Sequence, residues 1–298
     1  VSKFLTPWVR KKIVSLSDKI VYASTPYTQM KSQLNEASAE LIDFTRTPGT
    51  EADRRVLNLA RMLRPWTASN LDLIRVGGPG DGGYVMASPL EAQGAMSLGV
   101  GRDVSWDRAV GTAGIPVEMF DPTVRRSPAQ VPRGRFHRLG VGRARPTYLP
   151  VNELLAVSGW TNSWELILKM DVEGAEWEVL EDPHLDLSRF RQILIEFHDI
   201  ARLQDSRRGQ RAITALERLV AYHKPVHVHA NNYDEVVRFG AYWFPNTIEV
   251  SFLRNDLGAE WSAAVELRTD FDRPNDERVS DIDLSSILQV APAETRHD

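Results

Sequence analysis

Three short segments of the chain concentrate groups that move protons or hold cations, and each follows an apolar run. The first is Leu166-Ile167-Leu168-Lys169-Met170-Asp171-Val172-Glu173-Gly174-Ala175-Glu176, where a hydrophobic stretch empties into three carboxylates around a glycine. A helix starting there accounts for Glu176, and for Glu173 at a stretch, because helix N-termini favour negative charge. It does not account for Asp171. The second segment, Ile193-Leu194-Ile195-Glu196-Phe197-His198-Asp199, puts Glu196 and His198 on one side of an extended chain, since strand side chains alternate. The third, His227-Val228-His229-Ala230-Asn231-Asn232, does the same for His227 and His229. A lone histidine is ordinarily structural. Asp171, Glu196, His198 and His229 at successive strand ends are better explained by a shared cleft, equipped for general acid–base work.

A second group of residues suits a nucleoside. Ser97-Leu98-Gly99-Val100-Gly101-Arg102-Asp103 joins a strand to a helix, and its two glycines let the backbone approach a ligand closely. Asp121 ends the next strand, Val117-Glu118-Met119-Phe120, about 20 residues beyond Gly101, where a carboxylate can accept both ribose hydroxyls. Taken singly, an ordinary tight turn explains Gly99 and Gly101, and an exposed turn before Pro122 explains Asp121. Together they favour an adenosine-type ligand without separating NAD from S-adenosylmethionine.

These residues need a parallel sheet to hold them. Apolar runs at Ala95–Leu98, Pro116–Phe120, Arg135–Val141, Glu165–Met170, Gln192–Phe197, Val226–Ala230 and Thr247–Leu253 predict seven strands. Amphipathic stretches at Val104–Ala113, Val151–Ser158, Ala175–Leu180 and Arg211–His223 predict the crossover helices. The expectation is an α/β, Rossmann-like fold with a seven-stranded, mostly parallel sheet and helices on both faces, a strand count that suits a methyltransferase sheet better than a six-stranded dinucleotide fold. In open parallel sheets ligands sit beyond the carboxyl ends of the strands, which is where all three acidic or imidazole segments fall.

Residues 1–70 read as an N-terminal helical extension, 71–255 as the donor-binding domain and 256–298 as an acidic C-terminal segment, wrapped or partly loose. The chain has 298 residues, 42% hydrophobic and 26% charged, enough to bury a core. With 36 basic against 40 acidic residues, net charge −4, it lacks the basic excess that grips nucleic acid. Having no cysteine, it has no disulfide, thiolate zinc site or thiol nucleophile. Residues 1–21 are basic and amphipathic, which suits a helix packed on the domain, with weak membrane-surface contact as the second reading. Neither an apolar span nor a signal-peptide pattern is visible, so a cytoplasmic location is expected.

The motif Lys169-Met170-Asp171-Val172-Glu173-Gly174-Ala175-Glu176, followed by Val179-Leu180 and then Ile195-Glu196-Phe197-His198, resembles the FkbM-type methyltransferases. Arg75-Val76-Gly77-Gly78, Asp81-Gly82-Gly83-Tyr84-Val85 and Ser97–Trp106 are similar to its methyltransferase-like protein branch, as is Asp270–Leu284 with Arg273-Pro274-Asn275-Asp276. The resemblance spans roughly residues 71–255 and implies a class I methyltransferase fold with S-adenosylmethionine as methyl donor. It implies that Gly99, Gly101 and Asp121 hold the donor, with Asp103 beside them. The loop Asp81, Gly82, Gly83 and Tyr84 would cover it, and Asp171 would stand near the transferred methyl. Two departures are visible: Ser97 replaces the usual first-strand acid, and Pro150-Val151-Asn152-Glu153 replaces a Ser-Leu-Asp pattern.

The resulting expectation is O-methylation of a small-molecule, glycan or glycolipid acceptor, on a hydroxyl of a sugar, glycolipid or polyketide. His198 or His229 would be the general base, with Asp171 and Glu196 orienting it or the acceptor. In a variant, Asp171, Glu196 and His198 bind Mg²⁺, which lowers the hydroxyl's pKa. One competing reading is a nicotinamide-dependent oxidoreductase, which the fingerprint opposes by placing Val104 where a third glycine belongs. Another is a catalytically silent binding scaffold. The aromatic N-terminal residues Phe4, Trp8, Tyr22 and Tyr27 suit a cleft cap, a lipid contact or a homodimer equally.

Overall fold

The computed structural model describes residues 49–143, 146–240, 242–284 and 288. The amphipathic segment at residues 1–21, with its expected membrane or dimer contact, lies outside the described residues.

Seven strands form the central sheet: β1 (Gly94–Leu98), β2 (Val117–Phe120), β3 (Gly134–His137), β4 (Leu166–Met170), β5 (Phe190–Phe197), β6 (His223–Ala230) and β7 (Ile248–Arg254). Their spatial order is β3-β2-β1-β4-β5-β7-β6. All neighbours run parallel except β7, which is antiparallel to both β5 and β6. The dinucleotide-binding order 3-2-1-4-5-6 has no such inserted reverse strand. The sheet is therefore Rossmann-like in the methyltransferase manner, as the strand count predicts. The central strands β1, β2 and β4 are buried along their whole length, which explains their near-continuous apolar sequence.

The helices are α1 (Glu51–Leu63), α2 (Ser105–Thr112), α3 (Val151–Val157), α4 (Glu176–Leu180) and α5 (Ser206–Tyr222). Thr50 opens α1 with a capping box: its hydroxyl accepts from the Asp53 amide (3.0 Å) and Asp53 accepts from the Thr50 amide (2.9 Å). Val56, Leu57, Leu59, Ala60 and Leu63 then face the same core as α3, α4, α5 and one side of the sheet. Residues 51–63 thus belong to the domain core.

The other side of the sheet is covered by α2 together with an antiparallel pair, Asp72–Val76 and Tyr84–Ser88, which is not among the seven expected strands. Gln192 of β5 fastens that pair to the sheet, its amide oxygen accepting from Ala87 N–H (3.0 Å) and its amide nitrogen donating to Ala87 C=O (2.9 Å). Ser251 of β7 donates to the Val85 carbonyl. After β7 the chain pairs Ser262–Ala263 with Trp66–Thr67 and continues over the ends of β6 and β7. Among the described residues no helix is long and apolar enough to cross a membrane.

Candidate active site

Strand order reverses between β1 and β4, since the chain builds outward to β3 and then returns to the other side of β1. Ligands of open parallel sheets bind at such a switch point, beyond the carboxyl ends. Gly99 and Gly101 sit there with φ of +80° and +59°. A Cβ on Gly99 would fall 1.6 Å from the Asp171 carbonyl oxygen, so only glycine lets the β1 turn lie against the β4 turn. A Cβ on Gly101 would meet nothing within 4 Å. That turn borders open space.

Asp121 lies beside this turn as expected, but its carboxylate is already engaged. Oδ2 accepts from the amides of Val100 (3.1 Å) and Gly101 (2.8 Å), while Oδ1 accepts from the Thr123 amide (2.7 Å) and hydroxyl (2.6 Å). Those bonds fill a carboxylate's acceptor sites. Burial alone would raise its pKa, yet the bonds from Thr123, Gly101 and Val100 outweigh it and hold the group below its usual range. In this arrangement Asp121 shapes the glycine turn. Asp103 also has a structural task. It accepts from the Ser105 amide at the start of α2 (2.6 Å), and a Cβ on Gly82 would come 2.9 Å from its carboxyl.

The loop between the paired strands is braced from both ends. Arg75 donates to the carbonyls of Gly78 (2.8 Å), Gly80 (2.7 Å) and Phe271 (3.2 Å). The Ser105 hydroxyl accepts from Gly78 N–H (2.8 Å) and donates to Gly82 C=O (3.2 Å). Gly83 is tucked against Gly78, leaving Asp81 at the rim and Tyr84 buried beneath. Solvent reaches Asp81, yet partial loss of hydration, then the charges of Asp171 and Glu249, push its carboxyl up to about 6. Tyr84 is raised well above its ordinary value by burial and by Asp171, Glu196, Glu249 and Asp81. Four carboxylates therefore act on one ring. Lys169 Nζ lies 5.2 Å from that ring's centroid, 3.2 Å from Gly99 O and 3.9 Å from Asp171 Oδ2.

Asp171, Glu196 and His198 come together, with one donor atom from each lying within 4.8 Å of the others. Glu196 Oε1 accepts from Asn231 Nδ2 (2.5 Å), and burial followed by the charge of Asp171 pushes its carboxyl well above the usual range. His198 Nδ1 lies 3.0 Å from Glu176 Oε1 and 3.1 Å from the Glu196 carbonyl oxygen. Burial opposes a charge on His198, but the charge and hydrogen bond of Glu176, helped by Glu196 and Asp171, carry it up to about 10. Glu176 thus holds the imidazole by Nδ1 and leaves Nε2 on the side of Glu196. Glu176, which the sequence suggested as a helix-start charge, is wholly buried. Its Oε1 also accepts from the amides of Val172 (2.9 Å) and Gly174 (3.2 Å).

His229 stands apart from this triad. It pairs in register with Glu249, which pairs with Glu196, so two strand spacings, roughly 10 Å, intervene. Its Nε2 lies 3.1 Å from Asp281 Oδ1 and its Nδ1 3.8 Å from Glu249 Oε2. Against the cost of burial these acids raise it to about 10. With His227, 2.7 Å from Asp272 Oδ1, it fastens residues 272–281 to the sheet. Asn275 Nδ2 donates to Glu249 Oε1 (2.6 Å), and Asn232 donates to the carbonyls of Asp276 and Val279. Glu249 was missed because a charge inside Thr247–Leu253 reads as an outward-facing strand residue.

Residues 163–223 match the family model of the Methyltransferase FkbM domain. The matched stretch runs from just before β4 to the end of α5 and carries Asp171, Glu176, Glu196 and His198. The match bears out the resemblance to FkbM-type methyltransferases and supports methyl transfer as the general activity. No curated protein matches the chain.

Proposed function

We propose that the chain transfers a methyl group from S-adenosylmethionine to a hydroxyl oxygen of a small-molecule, glycan or glycolipid acceptor. The observation that supports this reading is the convergence of Asp81, Asp171, Glu196 and Glu249 on Tyr84 at the switch point, next to the open side of Gly101. A sulfonium nucleoside brings positive charge, which such a crevice stabilises. A nicotinamide dinucleotide brings a pyrophosphate, which it repels. Asp103 further occupies the start of α2, where a dinucleotide fold receives phosphate. A silent scaffold would gain nothing from burying Glu176, Glu196 and His198 together.

In this reading the Gly99–Gly101 turn, stiffened by Asp121, holds the donor, and the Asp81–Tyr84 loop covers it. The bound donor supplies an electrophilic methyl group. The chain's task is alignment of the acceptor oxygen. Asp171, partly exposed at the end of β4, receives the acceptor's hydroxyl as a hydrogen-bond donor. Asp81, facing Asp171, Glu249, Lys169 and Asp103 across the rim, takes the hydroxyl proton and passes it to solvent, since a base near pH 6 suits neutral conditions.

The test is transfer of labelled methyl to a panel of sugar, glycolipid and polyketide alcohols. The rate should rise with pH through about 6, and Asp81→Asn should remove that limb with at least about a 10²-fold loss. Absence of label from every alcohol, with label appearing in amines or thiols instead, would contradict oxygen as the acceptor atom.

A further inference from the structure

We infer that Asp171, Glu196 and the Nε2 of His198 form a divalent-cation site, with Glu176 as the residue that orients the imidazole. The site deepens the proposed function, because the ion would hold the acceptor oxygen in the same crevice.

The geometry begins with His198, only 7% exposed. Its Nδ1 is committed to Glu176 and to the Glu196 carbonyl, which leaves Nε2 facing the carboxylates. Nε2 is 4.0 Å from Glu196 Oε1, beyond hydrogen-bond reach, and makes no hydrogen bond among the described residues. That nitrogen, on a side chain turned toward Glu196, becomes a ligand atom when the ion displaces its proton, as metal binding to histidine requires. Metal-binding histidines characteristically donate their other N–H to a carboxylate, which fixes tautomer and ring orientation. Glu176 is such a carboxylate, and it is itself fixed by the amides of Val172 and Gly174.

The donor set is two carboxylates and one imidazole, which suits Mg²⁺ or Mn²⁺ and not a thiophilic ion. Ligands of these ions lie about 2.0–2.2 Å from the metal. Atoms already within 4.8 Å of one another reach that arrangement by side-chain rotation. Three protein ligands leave open positions for water and for the acceptor oxygen, whose proton a dication makes easier to remove. The ion also relieves the repulsion among Asp171, Glu196, Glu249 and Asp81, adding to Lys169, whose Nζ is 3.9 Å from Asp171 Oδ2.

The experiment titrates chelator-stripped full-length protein with Mn²⁺, following free Mn²⁺ by electron paramagnetic resonance, with no donor or acceptor present. One saturable ion per chain is expected. Asp171→Asn and His198→Ala should each weaken binding at least about tenfold. Glu176→Gln should weaken it about 10–100-fold, while His229→Gln, outside the triad, should leave it unchanged. Asp171 is partly exposed, so Asp171→Asn stays informative even where His198→Ala fails to fold. Absence of saturable binding, or binding undiminished in Asp171→Asn, overturns the site. Mn²⁺ binding without methyl transfer would overturn the proposed function and keep the site; transfer that survives exhaustive chelation, with no Mn²⁺ bound, would do the reverse.

Discussion

Gly99 and Gly101 stand in one turn and carry different constraints. At Gly99 the positive φ and the Asp171 carbonyl both exclude a side chain, so Gly99→Ala must separate the β1 and β4 turns. At Gly101 only the φ is unfavourable, and the added methyl would enter open space. Gly99→Ala should therefore lower stability by more than about 2 kcal/mol, while Gly101→Ala should cost about 1 kcal/mol. On the proposed donor placement, Gly101→Ala should still weaken donor binding about tenfold or more, because the methyl enters the open space assigned to the donor. Thermal unfolding and calorimetry on both variants check this; equal stability losses would contradict the packing argument. The sequence made both glycines and Asp121 visible by spacing. It could not show that Asp121 spends its oxygens on the turn, because Thr123 and two backbone amides compete for them only once the turn has formed. His198 was legible beside Glu196 for the same reason of spacing. Its charge was not, since Glu176 meets it from another element.

At the scale of elements, the central strands were legible because each is an apolar run buried on both faces, and the structure moves their ends by only a few residues. The pair Asp72–Val76 and Tyr84–Ser88 was not, because its place on the sheet is set by Gln192 and Ser251, far away in sequence. The C-terminal segment shows the same dependence. Its acidic composition suggests a wrapped or loose tail, and in the described part residues 272–281 lie against His227, His229, Glu249 and Asn232. That attachment has a pH signature. His229 rises to about 10 in the folded chain from an ordinary value near 6.5, so its contribution to stability is complete below about 6.5. It then fades as pH climbs and is gone above about 10. In chelated protein the urea midpoint should fall from pH 7 to pH 10. His229→Gln should make that fall shallower, with the remainder assigned to His198 in the same window. An unchanged slope in His229→Gln would contradict the clamp.

Over the whole molecule the net charge is only −4, yet acidic groups gather at one end of the sheet, where the strand order reverses. Composition conceals this gathering, because basic residues elsewhere balance it. The sequence showed that carboxylates follow β4 and β5, while the contributions of Asp81 and Glu249 appear only when the loop and β7 are folded over the crevice. The insertion of antiparallel β7 between β5 and β6 brings Glu249 into line with Glu196, giving this fold an acidic crevice in place of a phosphate site. The central claim is that the crevice selects a cationic nucleoside donor. Isothermal calorimetry of the full chain with S-adenosylmethionine and with NAD tests it most directly. The account predicts one S-adenosylmethionine bound per chain, more weakly as salt is added, and no heat from NAD. Saturable binding of NAD by folded protein that ignores S-adenosylmethionine would contradict it.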